Sequence, residues 1–247
     1  QVAGAADKGT GRLGKQSMAA IGQSLLMSRY RDQFLPLGID VAQVLLTHSD
    51  LGHRRRFLHA RRVTTELLGA GVLPIVNEND TVAVDEIRFG DNDTLAAQVA
   101  HLVGADALIL LTEVDGLFTA DPSQDSEARL LHAVSAQDER IVAVATAGSS
   151  RFGTGGMRSK VLAAQMAAEL GITVVVANGR KNEALSRVLG GSDEGTVFIP
   201  TRRRLTGKRK WIFASVRANA TVHVDAGAMD ALCAGGKSLL PIGVTKI

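Results

Sequence analysis

Short apolar runs alternate with helical patterns along most of this chain, and this alternation limits the folds that are open to it. Five runs have the length and composition of buried strands: IDVAQVLLT, VLPIV, ALILLT, TVVVA and TVFIP. Amphipathic helical patterns lie between several of them, such as Arg54 to Leu68 and Thr94 to Val103. Because strands that alternate with helices are joined by right-handed crossovers, this order predicts an α/β fold with a largely parallel sheet. Ligands then belong at the carboxyl edge of the sheet.

The first helical pattern runs from Gln16 to about Phe34. Its apolar residues recur at helical spacing, and we expect four of them on its buried side: Met18, Ile21, Leu25 and Leu26. The preceding GTGRLGKQ matches a P-loop at both glycines and the lysine, but it ends in Gln16 where a magnesium-binding Ser or Thr belongs. The segment before it is too short and too alanine-rich to be the strand that such a loop follows. We therefore interpret this stretch as a lead-in to the helix.

The stretch from Asn77 to Asp93, NENDTVAVDEIRFGDND, concentrates six carboxylates and three amides directly after the run VLPIV. Arg88 is its only cation, so the carboxylates would repel one another unless a cation or a donor-rich ligand lies among them. Amides beside carboxylates suit a ligand that carries both an ammonium and a carboxylate. Asp93 is expected at the start of the next helix, as a cap for free N–H groups. The alternative is a solvated acidic loop.

The run ALILLT is followed by EVDGLFTADP, in which Asp115-Gly116 and Asp121-Pro122 are turn signals. Thr112 and Glu113 are therefore expected at the carboxyl end of a strand, where a loop begins. This is the edge at which a parallel sheet presents side chains to a ligand.

A second candidate site is FGTGGMRSK, from Phe152 to Lys160. Its glycines open a helical pattern that ends at Gly171. Glycine lets the backbone approach a ligand closely, and the N–H groups at a helix start attract anions, with Lys160 about one turn further on. The alternative is a plain loop that leads into a helix.

The positive charge of the chain is local. The formal net charge is +3, yet the run RRRLTGKRK from Arg202 to Lys210 carries six cations and no acid. Cys233 is the only cysteine, which excludes internal disulfides and agrees with a reducing compartment. No apolar run approaches the roughly 20 residues that span a bilayer. We expect a domain boundary near Val216, with residues 1–216 as the main domain and residues 217–247 as the beginning of another.

Four motifs in this order, VNEND, GDND, TEVDGLFTADP and GTGGMRSK, resemble those of the glutamate 5-kinases of the amino acid kinase family. The resemblance implies a three-layer αβα sandwich with a mainly parallel central sheet. It also implies ATP-dependent phosphorylation of the side-chain carboxylate of L-glutamate, the first step of proline biosynthesis, with ATP and Mg²⁺ as cofactors. Cytoplasmic localisation, proline as a feedback inhibitor and a homo-oligomer, dimer or tetramer, are further implications. The tail resembles the linker and β-rich opening of a PUA domain.

The same resemblance assigns roles to individual residues. Lys160 and Asp93 would be catalytic, with Lys160 on the phosphates and Asp93 orienting lysines. Asp80 and Asn92 would bind glutamate. The nucleotide would contact nine residues: Thr112, Glu113, Thr154, Gly155, Gly156, Met157, Arg158, Ser159 and Lys160. No protein ligands for a metal are assigned. Glu113 replaces the Asp that is more usual there, and the family's N-terminal strand and lysine loop have no counterpart in this sequence.

Two alternatives stay open at this point. One is another amino acid kinase that acts on acetylglutamate, aspartate or a nucleoside monophosphate. The other is an RNA-binding module that uses the basic run and the PUA-like tail, with phosphate contacts that make binding salt-dependent. The aromatic content of 4% is low for a surface on which bases stack, so nucleic acid is the less expected partner.

Overall fold

The structure is a computed structural model of the chain. It describes residues 13–83, 92–122, 124–138, 141, 156–200, 207–215, 221–234, 239–240, 242 and 244–246. The chain divides into two compact units, Gln1–Ser215 and Val216–Ile247. Within the described ranges, no helix combines the length and the apolar character needed to cross a membrane.

The strands of the first unit pair mainly in parallel, as the sequence predicts. Strands β1 (Val41–Leu46) and β2 (Leu73–Glu78) form one parallel pair. The other four strands are β3 (Ala107–Thr112), β4 (Ala133–Ser135), β5 (Thr173–Asn178) and β6 (Thr196–Ile199). They lie in the order β3-β5-β6-β4, in which only the β5–β6 pair is antiparallel. Among the described residues the strands thus form a two-stranded and a four-stranded sheet, where we expected one central sheet.

Seven α-helices are described in this unit: α1 (Lys15–Phe34), α2 (His48–Gly52), α3 (Arg54–Gly69), α4 (Asn92–Val103), α5 (Gly156–Glu169), α6 (Ala184–Leu189) and α7 (Gly207–Ser215). The predicted helices from Gln16, Arg54 and Thr94 are confirmed to within two residues at their starts. Gly71 and Gly171 have φ of 76° and 88°, so the turns that lead into β2 and β5 use a conformation that favours glycine.

Helix α4 contributes to both hydrophobic cores. Its Ala97 and Ala100 belong to a larger core, which includes Phe198 and the buried face of α5. Its Leu95 and Leu102 belong to a smaller core with Leu46, Leu51 and Phe57 of β1, α2 and α3. The face with Leu95, Val99, Leu102 and Val103, which helical spacing predicts, packs on the smaller core, whereas the sequence did not predict the second buried face with Ala97 and Ala100.

The predicted buried side of α1 is wrong for three of its four residues. Ile21, Leu25 and Leu26 are 41%, 53% and 40% exposed, and only Met18 is partly buried. Helix α1 contacts β1. The described part of the chain supplies no second layer over its remaining apolar residues, so helical spacing alone overestimated their burial.

The second unit contains a small antiparallel pair and one helix. Strand β7 (His223–Val224) pairs with β8 (Val244–Lys246), and helix α8 (Ala226–Cys233) follows β7. Asp225 caps this helix by accepting a hydrogen bond from the Ala228 N–H at 2.7 Å.

Candidate functional site

The structure brings Asp93 and Lys160 into direct contact. The Lys160 Nζ lies 2.9 Å from Oδ2 and 3.1 Å from Oδ1 of Asp93, and the Ser159 hydroxyl donates to Oδ2 at 3.1 Å. The side chains of Lys160 and Asp93 are only 18% and 15% exposed. A largely desolvated pair with several hydrogen bonds holds its geometry better than a surface ion pair does. The first turn of α4 and the first two turns of α5 are therefore connected by three side chains.

Asp93 does not occupy the capping position that the sequence predicts. Helix α4 begins at Asn92, so Asp93 is already its second residue. Its two carboxylate oxygens accept hydrogen bonds from Ser159 and Lys160 of α5. A contact across 67 positions of sequence thus takes the place of the local cap.

The NEND motif spans the end of β2 and the beginning of the turn that follows it. The Asn79 N–H donates to the Leu46 carbonyl at 3.0 Å, so the ends of β1 and β2 stay aligned. The Asn79 carbonyl accepts from the N–H groups of Val82 and Ala83, at 3.2 and 3.0 Å. Asp80 lies inside this turn and is partly buried. A predicted substrate residue therefore stands at the carboxyl end of a parallel strand, where ligands bind in such sheets.

Asn92 is exposed and lines a cavity of about 430 Å³ between β2, α4 and β3. The other lining side chains are apolar, among them Val76, Leu95 and Leu108. The amide of Asn92 is thus the polar group at this cavity. Asp85, Glu86 and Asp91 of the acidic stretch lie outside the described residues.

The carboxyl ends of β3 and β5 meet beside the predicted nucleotide residues. Thr112 is opposite Asn178 in the parallel register, and the Gly179 N–H donates to the Thr112 carbonyl at 2.9 Å. Glu113 is exposed and forms an ion pair with Arg180. The side chain of Glu113 therefore has a partner within the protein.

A third carboxylate, Asp115, joins the same strand ends. Its Oδ1 accepts from the Asn178 amide at 2.9 Å and lies 2.9 Å from the Lys181 Nζ. The Asn178 hydrogen bond, and then the interaction with Lys181, hold the pKa of Asp115 below its usual range. Asn178, Arg180 and Lys181 were not predicted from the sequence. The sequence feature that could have identified them is their position directly after the run TVVVA. Because that strand is parallel to ALILLT, its end lies at the same edge of the sheet as Thr112.

The glycine-rich motif is described only from Gly156, where α5 begins. Met157 packs against the larger core, and Arg158 is exposed. Ser159 and Lys160 turn towards Asp93. Thr154 and Gly155 lie outside the described residues. A helix start with a lysine one turn inside it is suited to an anionic group such as a phosphate.

The site contains carboxylates, amides and lysines, but the described residues contain no group of three or more His, Cys, Asp or Glu that is arranged to hold a metal ion. A family model, the amino acid kinase family, matches residues 3–178. This chain belongs to the amino acid kinase family. The match includes the acidic stretch, α4, α5 and the strand ends just described.

Relatives within the amino acid kinase family are similar over nearly the whole chain. The chain is 50% identical to Glutamate 5-kinase of Myxococcus xanthus, over 95% of this chain and 62% of that protein. It is 47% identical to Glutamate 5-kinase of Moorella thermoacetica, over 99% of this chain and 67% of that protein. The chain thus spans about three fifths to two thirds of the length of these relatives.

Two solved structures share the fold of this chain. A UMP kinase from Bacillus anthracis aligns with a TM-score of 0.53 and 17% identity, over 83% of this chain and 77% of that chain. Carbamate kinase from Giardia lamblia bound to AMP-PNP aligns with a TM-score of 0.56 and 16% identity, over 81% and 80%. At this identity the similarity concerns the fold alone, and it agrees with the predicted α/β class.

Proposed function

We propose that this chain transfers a phosphoryl group from ATP to the side-chain carboxylate of L-glutamate, giving L-glutamyl 5-phosphate. The observation that carries the proposal is the Asp93–Lys160 contact, because it joins the acidic motif to the glycine-rich motif. An amino acid and a triphosphate would then meet where α4 and α5 begin. The Glutamate 5-kinase names of relatives at 47% and 50% identity support the same substrate.

Lys160 would act on the phosphates of ATP and on the phosphoryl group during transfer. Asp93 would orient Lys160 through both of its oxygens. Ser159 would contribute a second donor to Asp93, which strengthens the arrangement. Asp80 would pair with the ammonium of glutamate, and the Asn92 amide would hydrogen-bond to a carboxylate of glutamate.

The nucleotide side of the proposed site comprises Thr112, Glu113 and residues 154–160. We add Asp115, Asn178 and Lys181 to it, because their mutual contacts fix the loop that follows Thr112. The ion pair of Glu113 with Arg180 would open or rearrange if Glu113 contacted the nucleotide directly.

The nucleophile in this reaction is a carboxylate, which is ionised at neutral pH, so the reaction requires no general base. The main obstacle is the approach of an anion to a polyanionic triphosphate. Positioning and charge neutralisation by Lys160 and by the N–H groups at the α5 start address that obstacle. Mg²⁺, when bound with ATP, neutralises further charge. It commonly binds through substrate phosphates with few protein carboxylates, which agrees with the residues present.

The wider setting is also a proposal. We propose that the protein is a cytoplasmic enzyme of proline biosynthesis, that proline inhibits it by feedback, and that it forms a homo-oligomer. We also propose that the unit Val216–Ile247 is the beginning of a PUA-like domain. Cys233, the only cysteine of the chain, is exposed and free, which is compatible with a reducing compartment.

A substrate panel with coupled detection of ADP tests the proposed function. We expect ADP release with L-glutamate, and at least 100-fold less kcat/KM with N-acetylglutamate, L-aspartate or UMP, on the order of what a site built around specific polar groups achieves. Strong preference for one of the other acceptors would replace glutamate as the substrate. Lys160→Ala serves as the matched control for contaminating kinases.

A further inference from the structure

The end of the basic run is the sequence motif that the proposed function leaves without a role. Its residues Gly207–Lys210 form the first turn of α7, a helix for which the sequence predicts no element. Lys208 and Arg209 are exposed, whereas Lys210 and Trp211 are partly buried and Ala214 and Ser215 are buried. Helix α7 is therefore packed on the first unit by its Lys210, Trp211 and Ala214 side.

Trp211 attaches α7 to the smaller core. The indole N–H donates to the Leu51 carbonyl at 3.0 Å, and the indole lies 6.5 Å from the Phe57 ring. The guanidinium of Arg54 lies 5.3 Å from the indole on a face of the ring. Hydrogen bond, ring contact and cation–π contact together fix the orientation of this side chain. Helix α7 is thereby attached to α2 and α3.

Lys210 and Gln98 attach the same helix to α5 and α4. The Lys210 Nζ donates at 2.7 Å to the carbonyl of Leu170, the residue directly after α5. A cation at this end of a helix also interacts favourably with the helix dipole. Gln98 of α4 is 3% exposed, and its amide donates to the Ala214 carbonyl at 2.6 Å. One short helix thus contacts α2, α3, α4 and the end of α5.

The Lys210 contact lies at the end of α5 opposite to the site, whereas the Gln98 contact lies in the middle of α4, five residues after Asp93. Asp93 is in the first turn of α4, and Lys160 is in the second turn of α5, about 15 Å from Leu170 at 1.5 Å of rise per residue. The two sheets share no strand pair among the described residues. Helix α7 therefore adds a side-chain connection between the two halves of the unit without contacting Asp93 or Lys160 through the hydrogen bonds described.

We propose that Lys210 and Trp211 are positioning residues that set how α4 and α5 lie relative to each other, and thereby the Asp93–Lys160 contact. Only the expected change in turnover depends on the proposed function. The structural part of the proposal stands separately, because the contact itself can be measured without any substrate. It also assigns Lys210 to the Leu170 carbonyl, which leaves Lys208 and Arg209 as the exposed cations among the described residues of the basic run.

The test compares Lys210→Ala and Trp211→Phe with Lys208→Ala, an exposed lysine of the same helix. Hydrogen–deuterium exchange is followed at the amides of residues 94–96 and 157–164, near Asp93 and Lys160. We expect at least fivefold faster exchange there in K210A and W211F, and no change in K208A. Faster exchange that is confined to residues 97–99, 166–172 and 207–215 would overturn the proposal, because the disturbance would then stay at the α7 contacts with Gln98 and Leu170.

Kinetics add a second readout, with kcat expressed per mole of folded enzyme, as measured by circular dichroism at the assay temperature, so that a loss of stability alone does not lower it. In K210A we expect kcat with L-glutamate and ATP to fall about tenfold, with KM for glutamate within about twofold, since small displacements of reacting groups mainly affect turnover. Lys210→Arg retains a donor for the Leu170 carbonyl and should restore most of kcat, whereas Lys210→Met should not. Equal kcat in K210M and the parent protein would overturn the proposal. Absence of glutamate phosphorylation in the parent protein would contradict the proposed function. The hydrogen–deuterium exchange result alone would then test whether α7 positions α4 and α5.

Discussion

Asp93 holds the ammonium of Lys160 with both carboxylate oxygens, at 2.9 and 3.1 Å, although the two residues are 67 positions apart in sequence. Each residue belongs to the beginning of a helix that is anchored in a hydrophobic core. The ion pair is therefore a junction between two helices that are distant in sequence and packed on the same core. We expect loss of this ion pair to lower kcat more than it lowers the stability of the fold.

Asp93→Asn tests this junction with a side chain of the same size. The amide keeps one acceptor oxygen but removes the charge that holds Lys160, so we expect kcat to fall about 100-fold, in the range seen when a group that stabilises transition-state charge is disturbed. Asp106→Asn, an exposed carboxylate near the start of β3, is the matched control. A kcat in D93N within twofold of the parent value would contradict the role of Asp93.

Asp80→Ala and Lys160→Ala should separate binding from turnover. Removing Asp80 takes away the proposed partner of the substrate ammonium, so we expect KM for glutamate to rise about 10- to 100-fold with a smaller change in kcat. Removing Lys160 should lower kcat by a larger factor and leave KM for glutamate nearly unchanged. Steady-state kinetics with the two patterns reversed would exchange the roles that we assign.

His101 should make the protein less stable as the pH falls. Burial, and then Lys210, Arg61 and Arg54, lower the pKa of His101 to about 4 from 6.5. The unfolded chain binds the proton first, so the free energy of unfolding falls progressively as the pH drops from 6.5 to 4. After a discount for partial solvent exposure we expect a contribution of about 1–2 kcal/mol.

Urea unfolding at pH 7 and at pH 4.5 measures this effect. In His101→Gln the loss of stability between the two pH values should shrink by that amount, whereas His59→Gln, at an exposed position of α3, should retain the full loss. An unchanged pH dependence in H101Q would show that His101 is not responsible.

Gly116→Ala should destabilise the fold more than Gly71→Ala. Both residues have positive φ, 149° and 76°, so each substitution introduces backbone strain. At Gly116 an added Cβ would lie 2.7 Å from the Thr196 hydroxyl and 2.9 Å from Leu130, whereas Gly71 has open space around it. We expect about 1 kcal/mol for G71A and at least about 2 kcal/mol for G116A, since overpacking adds to the strain.

Thermal unfolding of the two variants distinguishes these values. Thr196 is fully buried, and its hydroxyl accepts from the Leu117 N–H at 2.8 Å, so it has little room to move away from a new methyl group. Equal shifts in Tm for G116A and G71A would indicate that β6 adjusts freely around position 116.

Local sequence patterns predicted the bounds of helices and strands better than they predicted which of their side chains are buried. The run ALILLT corresponds to β3 from its first residue to its last, because an apolar run bounded by turn residues marks where a strand begins and ends, but only Leu110 of this strand is buried and Leu111 is 49% exposed. Helix α1 shows the limit of such patterns. Its apolar spacing is real, yet Leu25 is 53% exposed because burial depends on what lies opposite.

Strand pairing and contacts between residues distant in sequence were also not predictable from the sequence. The division of the strands into two sheets depends on which edges meet, and a single sequence does not encode this in any local window. Asp115 and Asn178 are 63 positions apart, so their hydrogen bond follows from the parallel register of β3 and β5 and not from either motif alone. Helix α7 was missed because cationic residues at its start resemble a solvated linker, although Trp211 supplies a strong internal contact.

The membership of α4 in both cores has a consequence for how the unit unfolds. Ala97 and Ala100 lie in one core while Leu95 and Leu102 lie in the other. If either core unfolds, α4 also loses its contacts in the other core. We therefore expect the two cores to unfold together in one cooperative transition. A partially melted intermediate that keeps one sheet intact would have to give up the very helix that presents Asn92 and Asp93.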